Sequence, residues 1–576
     1  MGQAVSPRYV LGIWDGHDAG AALLDGGRIV MAINEERLTR RKLEVGFPFL
    51  SVRACLANAG IGPESVTTIA VSTSDPAKTL TRLVPGLKEA YYLIRRRKKD
   101  PGPLDRFKKG FKYKFTELAP NRLSVALSRL NLHALLRKEG FRRYRLHLID
   151  HHRAHAEAAA RLSGFPRCLA LTLDGVGDGL CGSIYTYEDS RLKRIAALPS
   201  NASLGIFFEH VTNLMNMREL EDEGKVMALA NYAYPISDSE NPLMEVIQCR
   251  GLSLVSPHSV TAMYRQMKKI FWRFPSEQFA FMAQQVVERR AMALLQNALA
   301  KTGMDRVAVA GGLFSNIKFN MKAAEHPSVK QFFVFPHMGD GGLALGAAIA
   351  AASQDHGQTS FSMDNLYLGP SYADTDIPAL LDRHPVTYRR LDDPARVAAD
   401  CLLANEVILW FQGAMELGPR ALGNRSILAR ADSVAIKDRL NMALKKRVWY
   451  QPFCPSMLET DAPALLHTED QDTACNRFMT SGFRVRREHL GTMAGVINVD
   501  GTCRPQFVGD DNPRYRDLLG HIKSALGYGV VLNTSFNIHG DPMVCSPEDA
   551  LDTLFRTGVR HLFLEDYLVE NPNARD

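Results

Sequence analysis

The feature that most constrains this chain is a strand, an acid-glycine turn and a hairpin that occur twice, about 160 residues apart. In the first copy, residues 9–14 run into Asp15-Gly16 and then into the segments 19–24 and 25–30, joined at Gly26-Gly27. In the second, residues 169–173 run into Asp174-Gly175, and 180–187 turn at 188–190 into 192–195. Apolar runs bounded by Gly and Asp read as strands joined by tight turns. A whole unit that returns in this way signals internal duplication.

Two such halves facing each other across a cleft describe the actin-like (ASKHA) ATPase fold, an α/β architecture. There, the Asp-Gly turns of both halves would hold nucleotide phosphates through backbone N–H groups and a cation. At 576 residues the chain exceeds one hydrophobic core. Residues 355–395 are rich in Ser, Asp, Pro and Gly and read as a linker. The expected division is an actin-like domain over 1–360 with a basic insertion at about 80–145, a linker over 361–395, and a second α/β domain over 396–576.

Residues 151–162 are Ala-rich and predict a helix. His151 and His155 are four apart and so share a face, where two imidazoles can hold one metal ion. Asp174 ends a strand, and Asp340 sits in the turn His337-Met-Gly-Asp340-Gly-Gly. Acids at strand ends beside glycine turns point to a metal next to a phosphate site. Gly175, Gly177, Gly311, Gly312 and Asn316 lie in turns suited to close backbone approach to a nucleotide.

The second domain carries four clusters of basic and polar side chains. They are Gly418-Pro-Arg420-Ala-Leu-Gly-Asn-Arg425-Ser426, Lys445-Lys446-Arg447, Arg504-Pro-Gln506 and Leu532-Asn533-Thr-Ser535-Phe-Asn537. Arg and Lys beside amide and hydroxyl donors are the chemistry of a phosphate pocket.

Charge is unevenly spread. The chain is +8 overall, while residues 95–145 hold 17 Lys and Arg against four Asp and Glu. Arg95–Lys99 reads as a solvated, partly mobile run. Lys108, Lys109, Lys112 and Lys114, interleaved with Phe107, Phe111, Tyr113 and Phe115, would suit either an anionic partner or a solvated face. The nine cysteines are widely spaced and form no Cys-x-x-Cys, which argues against a disulfide framework and against a structural zinc site, and for a cytoplasmic protein. No apolar run is long enough for a membrane span. A Met-Gly start resembling a myristoylation signal reads as coincidence.

Across nearly its whole length the chain resembles the O-carbamoyltransferases of the NodU/CmcH type, which include antibiotic-tailoring enzymes. The resemblance rests on His-Asp-Ala-x-Ala-Ala at 17–22, Glu35-Glu36-Arg37-x-Thr39-Arg40, the His151/His155 pair, Gly224-Lys225-Val-Met227, the 311–316 turn and the motifs at 418–426 and 532–537. It implies an actin-like N-terminal domain and a YrdC-like C-terminal domain. It also implies two reactions. The C-terminal domain makes carbamoyl-adenylate from carbamoyl phosphate and ATP with Mg²⁺. The N-terminal domain then passes the carbamoyl group to the hydroxyl of a small-molecule acceptor such as a natural product, sugar or nucleotide-like compound.

By the same resemblance, Fe²⁺ or another divalent metal sits on His151, His155, Asp174 and Asp340. Arg420, Lys445, Arg504, Asn533 and Ser535 bind carbamoyl phosphate or ATP phosphates, with Arg425, Arg447 and Lys225 also in binding positions. His17 and Lys42 lie near the acceptor. His17 is either the base that takes the acceptor proton or a core histidine bonded to Asp15 or Asp18. An acidic or phosphorylated acceptor is expected from the basic segment, and a homodimer is the default assembly.

Two departures stand out. Gln451-Pro-Phe-Cys454-Pro-Ser456 replaces the family's Arg-Pro-Phe-Ala-Pro-Ser, so Lys446 or Arg447 must compensate or carbamoyl phosphate binds more weakly. Ala228 replaces a glycine after Gly224-Lys225-Val-Met227. Three rival readings have weaker support. Carbamoyl transfer in hydrogenase maturation needs Cys-x-x-Cys fingers that the sequence lacks. tRNA threonylcarbamoylation does not explain the 418–426 block, so no nucleic-acid partner is expected. A non-catalytic nucleotide-binding scaffold gives the second basic pocket no role.

Overall fold

The computed structural model describes residues 9–99 and 115–574. Phe107, Phe111, Tyr113 and the lysines between 108 and 114 lie outside the described residues, as does the N-terminal Met-Gly. The chain divides into two compact units. The first comprises 1–35 and 43–363, the second 36–42 and 364–576.

The first unit is built from two five-stranded sheets of the same plan. In one, β1 (Tyr9–Trp14), β2 (Gly20–Asp25), β3 (Arg28–Asn34), β4 (Val66–Ser72) and β5 (Arg145–Ile149) run in the order β3-β2-β1-β4-β5. In the other, β6 (Arg167–Gly177), β7 (Leu180–Glu188) and β8 (Arg191–Pro199) are followed, after the small hairpin β9 (Gln248–Arg250) and β10 (Ser253–Val255), by β11 (Arg306–Ala310) and β12 (Gln331–Val334). Their order is β12-β11-β6-β7-β8. Each sheet pairs its first three strands antiparallel and then adds two parallel strands. This is the duplicated actin-like plan.

A helix follows the fifth strand of each sheet. His151–Leu162 packs on β6 and β11, and Leu343–His356 packs on β1 and β4. The two helices also pack on each other, because their contacting residues are small. A Cβ on Gly346 would lie 2.0 Å from the Ala154 carbonyl oxygen, and one on Gly12 would lie 1.9 Å from that of Ala344. This packing brings the N-terminus of each helix toward the end of β6.

The second unit is also α/β. Its mixed sheet has the order β13-β22-β21-β14-β15-β20-β16-β19. The strands are β13 (Thr387–Arg390), β14 (Ile408–Phe411), β15 (Arg425–Arg430), β16 (Cys454–Leu458), β19 (Gln506–Val508), β20 (Val530–Ser535), β21 (His561–Leu564) and β22 (Tyr567–Glu570), while β17 (Phe483–Arg484) and β18 (Thr502–Cys503) pair apart. Two apolar cores flank it, one around Phe411, Leu532 and Leu562, the other around Trp410, Tyr515 and Phe563.

Two expectations need correction. Residues 361–395 are not merely a linker: Ile377, Leu380 and Leu381 are core residues and β13 is the edge strand of the sheet. The Arg37/Arg40 motif groups with the second unit, where Arg37 donates to the Gly418 carbonyl (2.9 Å) and Arg40 to that of Pro542 (3.1 Å). Among the described residues no helix is long and apolar enough to cross a membrane.

Candidate functional site

In the first unit, the helix His151–Leu162 opens on Asp150, whose side chain accepts the Arg153 N–H. One helical turn apart, the Nε2 atoms of His151 and His155 lie 3.1 and 3.2 Å from one oxygen, Asp174 Oδ2. Asp340 Oδ1 is 3.6 and 3.7 Å from the same two nitrogens. One ligand atom from each of the four residues lies within 4.8 Å of the others. Two imidazoles and two carboxylates form a donor set for a divalent transition metal.

Electrostatics agree with that reading. Burial opposes charge on His151, yet Asp340 and Asp174 outweigh it and raise the ring to about 9. Burial alone would raise Asp174, but its bonds to His151 and His155 hold it well below the usual carboxylate range. The acids therefore demand positive charge at this point, which a cation held by neutral imidazoles supplies.

The surrounding glycines fit around this cluster. Gly175 N–H and Gly312 N–H donate to Asp174 Oδ1 (2.7 and 3.1 Å), leaving Oδ2 toward the histidines. A Cβ on Gly177 would lie 2.2 Å from His151 Cγ. Gly311, at φ 112°, approaches so closely that a Cβ would lie 2.2 Å from the Leu173 carbonyl oxygen. These glycines close the backbone around Asp174. Asn316 is engaged structurally, capping the helix Ile317–Ala324 and pairing with Gln284. Lys225 is paired with Asp222 at 2.8 Å.

The two Asp-Gly turns are not equivalent. Asp15 is occupied by Arg82 (2.7 and 3.0 Å) and Lys78 (2.7 Å), and Trp14 fills the space beside Gly16. The expectation that both turns hold phosphates is therefore corrected, because protein cations already neutralise the first. His17 faces the histidine-aspartate cluster. Its Nδ1 is 3.5 Å from Asp340 Oδ2 and 3.2 Å from the Tyr92 hydroxyl.

Arg95 and Arg96, expected in a solvated run, are buried instead. Arg95 pairs with Glu209 and Glu219, and Arg96 with Glu221 at 2.5 Å.

Sequence reading missed Thr73 and Asp178. Asp178 accepts N–H bonds from Ser74, Asp75 and His151, tying the end of β4 to the start of the histidine helix. Thr73 sits at φ 71°, rare for a β-branched residue, and places its hydroxyl 3.0 Å from His151 Nδ1. A partner on the far nitrogen orients a metal-binding imidazole. Thr73→Ala is expected to weaken metal affinity about 10–100-fold, as read by metal titration of the chelator-treated protein. An unchanged affinity would remove this role.

In the second unit the basic motifs separate into two kinds. Arg425 is fully buried over the Phe411 ring, and its N–H groups reach the carbonyls of Gln412, Asn424, Gly413, Pro370 and Cys545. It holds the fold together and is corrected from a binding residue to a structural one. Lys445 is likewise held by the carbonyls of Ser535 (2.5 Å) and Asn537 (2.9 Å) and by the Asn537 side chain (2.9 Å). Lys42, expected beside the acceptor with His17, groups with this unit, and its charge bears on Lys445. Ser535 donates to Asn537 Oδ1, and Asn533 bonds the Ala421 carbonyl and Ser456.

Arg420, Arg447 and Arg504 form the second kind. They gather around Cys454, whose sulfur accepts from Arg504 Nε and Nη2 at 3.1 and 3.0 Å. Arg420 Nε and Arg447 Nη2 are buried without an acceptor. Burial and then Arg504 lower Arg420 to about 9, while burial lowers Arg447 to about 10. Of the two residues expected to compensate for Gln451, Arg447 faces this cluster and Lys446 is exposed. Cations crowded until their acidity rises, with N–H groups left over, are matched by an incoming anion.

Residues 9–349 match the family model "Carbamoyltransferase N-terminus" and residues 399–571 match "Carbamoyltransferase C-terminus". The nodulation protein NolNO of Sinorhizobium fredii is 30% identical over 97% of this chain and 79% of its own. The 3'-hydroxymethylcephem-O-carbamoyltransferase of Streptomyces clavuligerus is 30% identical over 64% of this chain and 70% of its own. An uncharacterized protein of Methanocaldococcus jannaschii, MJ1058, is 33% identical over 73% of each chain. The duplicated unit with its histidine-aspartate cluster falls within the first match and the arginine cluster within the second, and the chain belongs to the carbamoyltransferase family of transferases.

Proposed function

We propose that this transferase is an ATP-dependent O-carbamoyltransferase working in two steps. The second unit, read as YrdC-like, makes carbamoyl-adenylate. Water cleaves carbamoyl phosphate to carbamate and phosphate, and a carbamate oxygen attacks the α-phosphorus of ATP, expelling pyrophosphate. The arginine cluster around Cys454 carries this reading. Three guanidinium groups, with N–H donors that lack acceptors, can neutralise charge growing on phosphate oxygens.

In the first unit, the acceptor hydroxyl attacks the carbonyl of the adenylate and AMP leaves. Carbamate is a poor electrophile, and the mixed anhydride with AMP supplies the leaving group. His17 is assigned the hydroxyl proton, with Asp340 and Tyr92 at Nδ1 fixing its ring. His151, His155, Asp174 and Asp340 would hold a divalent metal, Fe²⁺ in the family reading, which would polarise the adenylate phosphate. The acceptor is a hydroxyl-bearing small molecule.

Mass spectrometry of the protein with ATP, Mg²⁺ and carbamoyl phosphate, without acceptor, tests the first step. Carbamoyl-adenylate and pyrophosphate are expected. Bound ATP with neither product would overturn the reading in favour of a nucleotide-dependent scaffold.

Cys454 makes a separate prediction. Cys454→Ala frees two Arg504 N–H groups and is expected to lower the carbamoyl phosphate KM by roughly 3–10-fold, about the net worth of one ordinary hydrogen bond. Cys454→Asp fills the cluster with a permanent anion and should abolish saturation. Steady-state pyrophosphate release reads both, and equal KM values in all three proteins would take the anion away from this cluster.

A further inference from the structure

Apart from both clusters, three side chains of the second unit converge beside the first residue of β21. Cys401 lies near the end of the helix Pro394–Leu403, Glu406 in the turn that follows, and His561 at the start of β21. The chain folds them together for local reasons. Asn405, at φ 67°, turns the helix end back in the left-handed conformation, and the Glu406 N–H donates to the Cys401 carbonyl at 3.1 Å. β14 then pairs parallel to β21 with Ile408 opposite His561, which sets Glu406 alongside the imidazole.

His561 Nδ1 is 2.7 Å from Glu406 Oε2 and 3.7 Å from Cys401 Sγ. One ligand atom from each of the three lies within 4.8 Å of the others. Side-chain exposure is 14% for His561 and 35% for Glu406, so one side of the group stays open to solvent.

We propose that Cys401, Glu406 and His561 form a second metal site, one that takes a zinc-class divalent cation. A thiolate, an imidazole and a carboxylate are the donors such ions prefer, and three protein ligands leave one position for water. Binding exchanges the thiol proton for the metal: the S–H bond breaks, the metal–sulfur bond forms and the proton goes to solvent. The ion would clamp the end of the helix Pro394–Leu403 to β21. This site is separate from the histidine-aspartate cluster of the first unit, which contains no sulfur.

Cobalt titration of the full-length, chelator-treated protein distinguishes the two, because only a site with a cysteine gives a thiolate-to-cobalt charge-transfer band. One equivalent of that band is expected. It should be abolished by Cys401→Ser and by His561→Ala, retained in Cys249→Ser and in His155→Ala, and displaced by zinc. If the variants fail to fold, peptide mapping of the unaltered chain replaces them. Zinc should then slow alkylation of Cys401 by at least about tenfold. Absence of the band, its survival in His561→Ala, or zinc-independent alkylation would reduce the group to a histidine–glutamate ion pair beside a thiol.

Discussion

Replacing Arg504 with alanine is expected to lower carbamoyl-phosphate-dependent pyrophosphate release by about 10²–10³-fold, the range for losing one preorganised donor at developing charge. The reason lies in the crowding around Cys454. Arg504 directs two N–H groups at one sulfur, with Arg420 and Arg447 close enough for its charge to lower both. An anion entering here meets donors that already lack acceptors, so little reorganisation is needed when it binds.

The pH profile should separate this from a loss of folding. Burial and repulsion by Arg504 lower Arg420 to about 9, so kcat/KM for carbamoyl phosphate should fall above that pH in the unaltered protein. In Arg504→Ala the repulsion is gone, and the same limb should move upward. Stability follows the opposite sign. A cation lowered by folding destabilises the native state in full below about pH 9, and the penalty is relieved progressively as pH rises from there toward the ordinary arginine value. Phosphate should therefore raise the Tm of the unaltered protein near neutral pH, by an amount set by its free concentration relative to Kd. A Tm blind to phosphate would mean that the cluster binds no anion.

The contrast between Arg420 and Arg425 shows what a sequence can and cannot convey. Both belong to one nine-residue motif, and nothing local separates them. Tertiary placement does. Arg425 begins β15 over Phe411, ringed by carbonyls, while Arg420 precedes the strand and keeps an N–H without an acceptor. The duplication was legible because it is written in short-range signals, namely apolar runs, Asp-Gly turns and tight hairpin turns. The helical spacing of His151 and His155 was legible for the same reason.

Asp15 and Asp174 look alike in sequence, and only the fold shows that Lys78 and Arg82, some sixty residues further on, close the first turn. Thr73 could not be read in advance, because the contacts around its positive φ are distant in sequence: its N–H donates to the Ile149 carbonyl at 2.9 Å, and the next two N–H groups donate to Asp178. Arg95 and Arg96 were hidden by composition. A basic run looks solvated until Glu209, Glu219 and Glu221, more than a hundred residues away, are brought onto it.

Replacing Asp174 with asparagine should have the second large effect, and it should fall on one half-reaction only. Asp174 Oδ2 is the oxygen on which both imidazoles converge, while Oδ1 is held by the N–H groups of Gly175 and Gly312. Asparagine keeps the size, and its carbonyl oxygen can keep the two backbone bonds. Its amide nitrogen then faces the histidines, carrying neither charge nor a lone pair for a metal. Metal content should fall to background. Transfer to an acceptor hydroxyl should drop by at least about 10³-fold, the loss of one metal-borne stabilisation of several kcal/mol. Pyrophosphate release without acceptor should stay within about twofold, because residues 167–177 belong to the first unit and the arginine cluster to the second. His155→Ala provides the same test by deleting one imidazole outright. If either variant lost pyrophosphate release together with transfer, the assignment of one step to each unit would be wrong. If either kept transfer with its metal gone, His17 and the backbone alone would have to account for the second step.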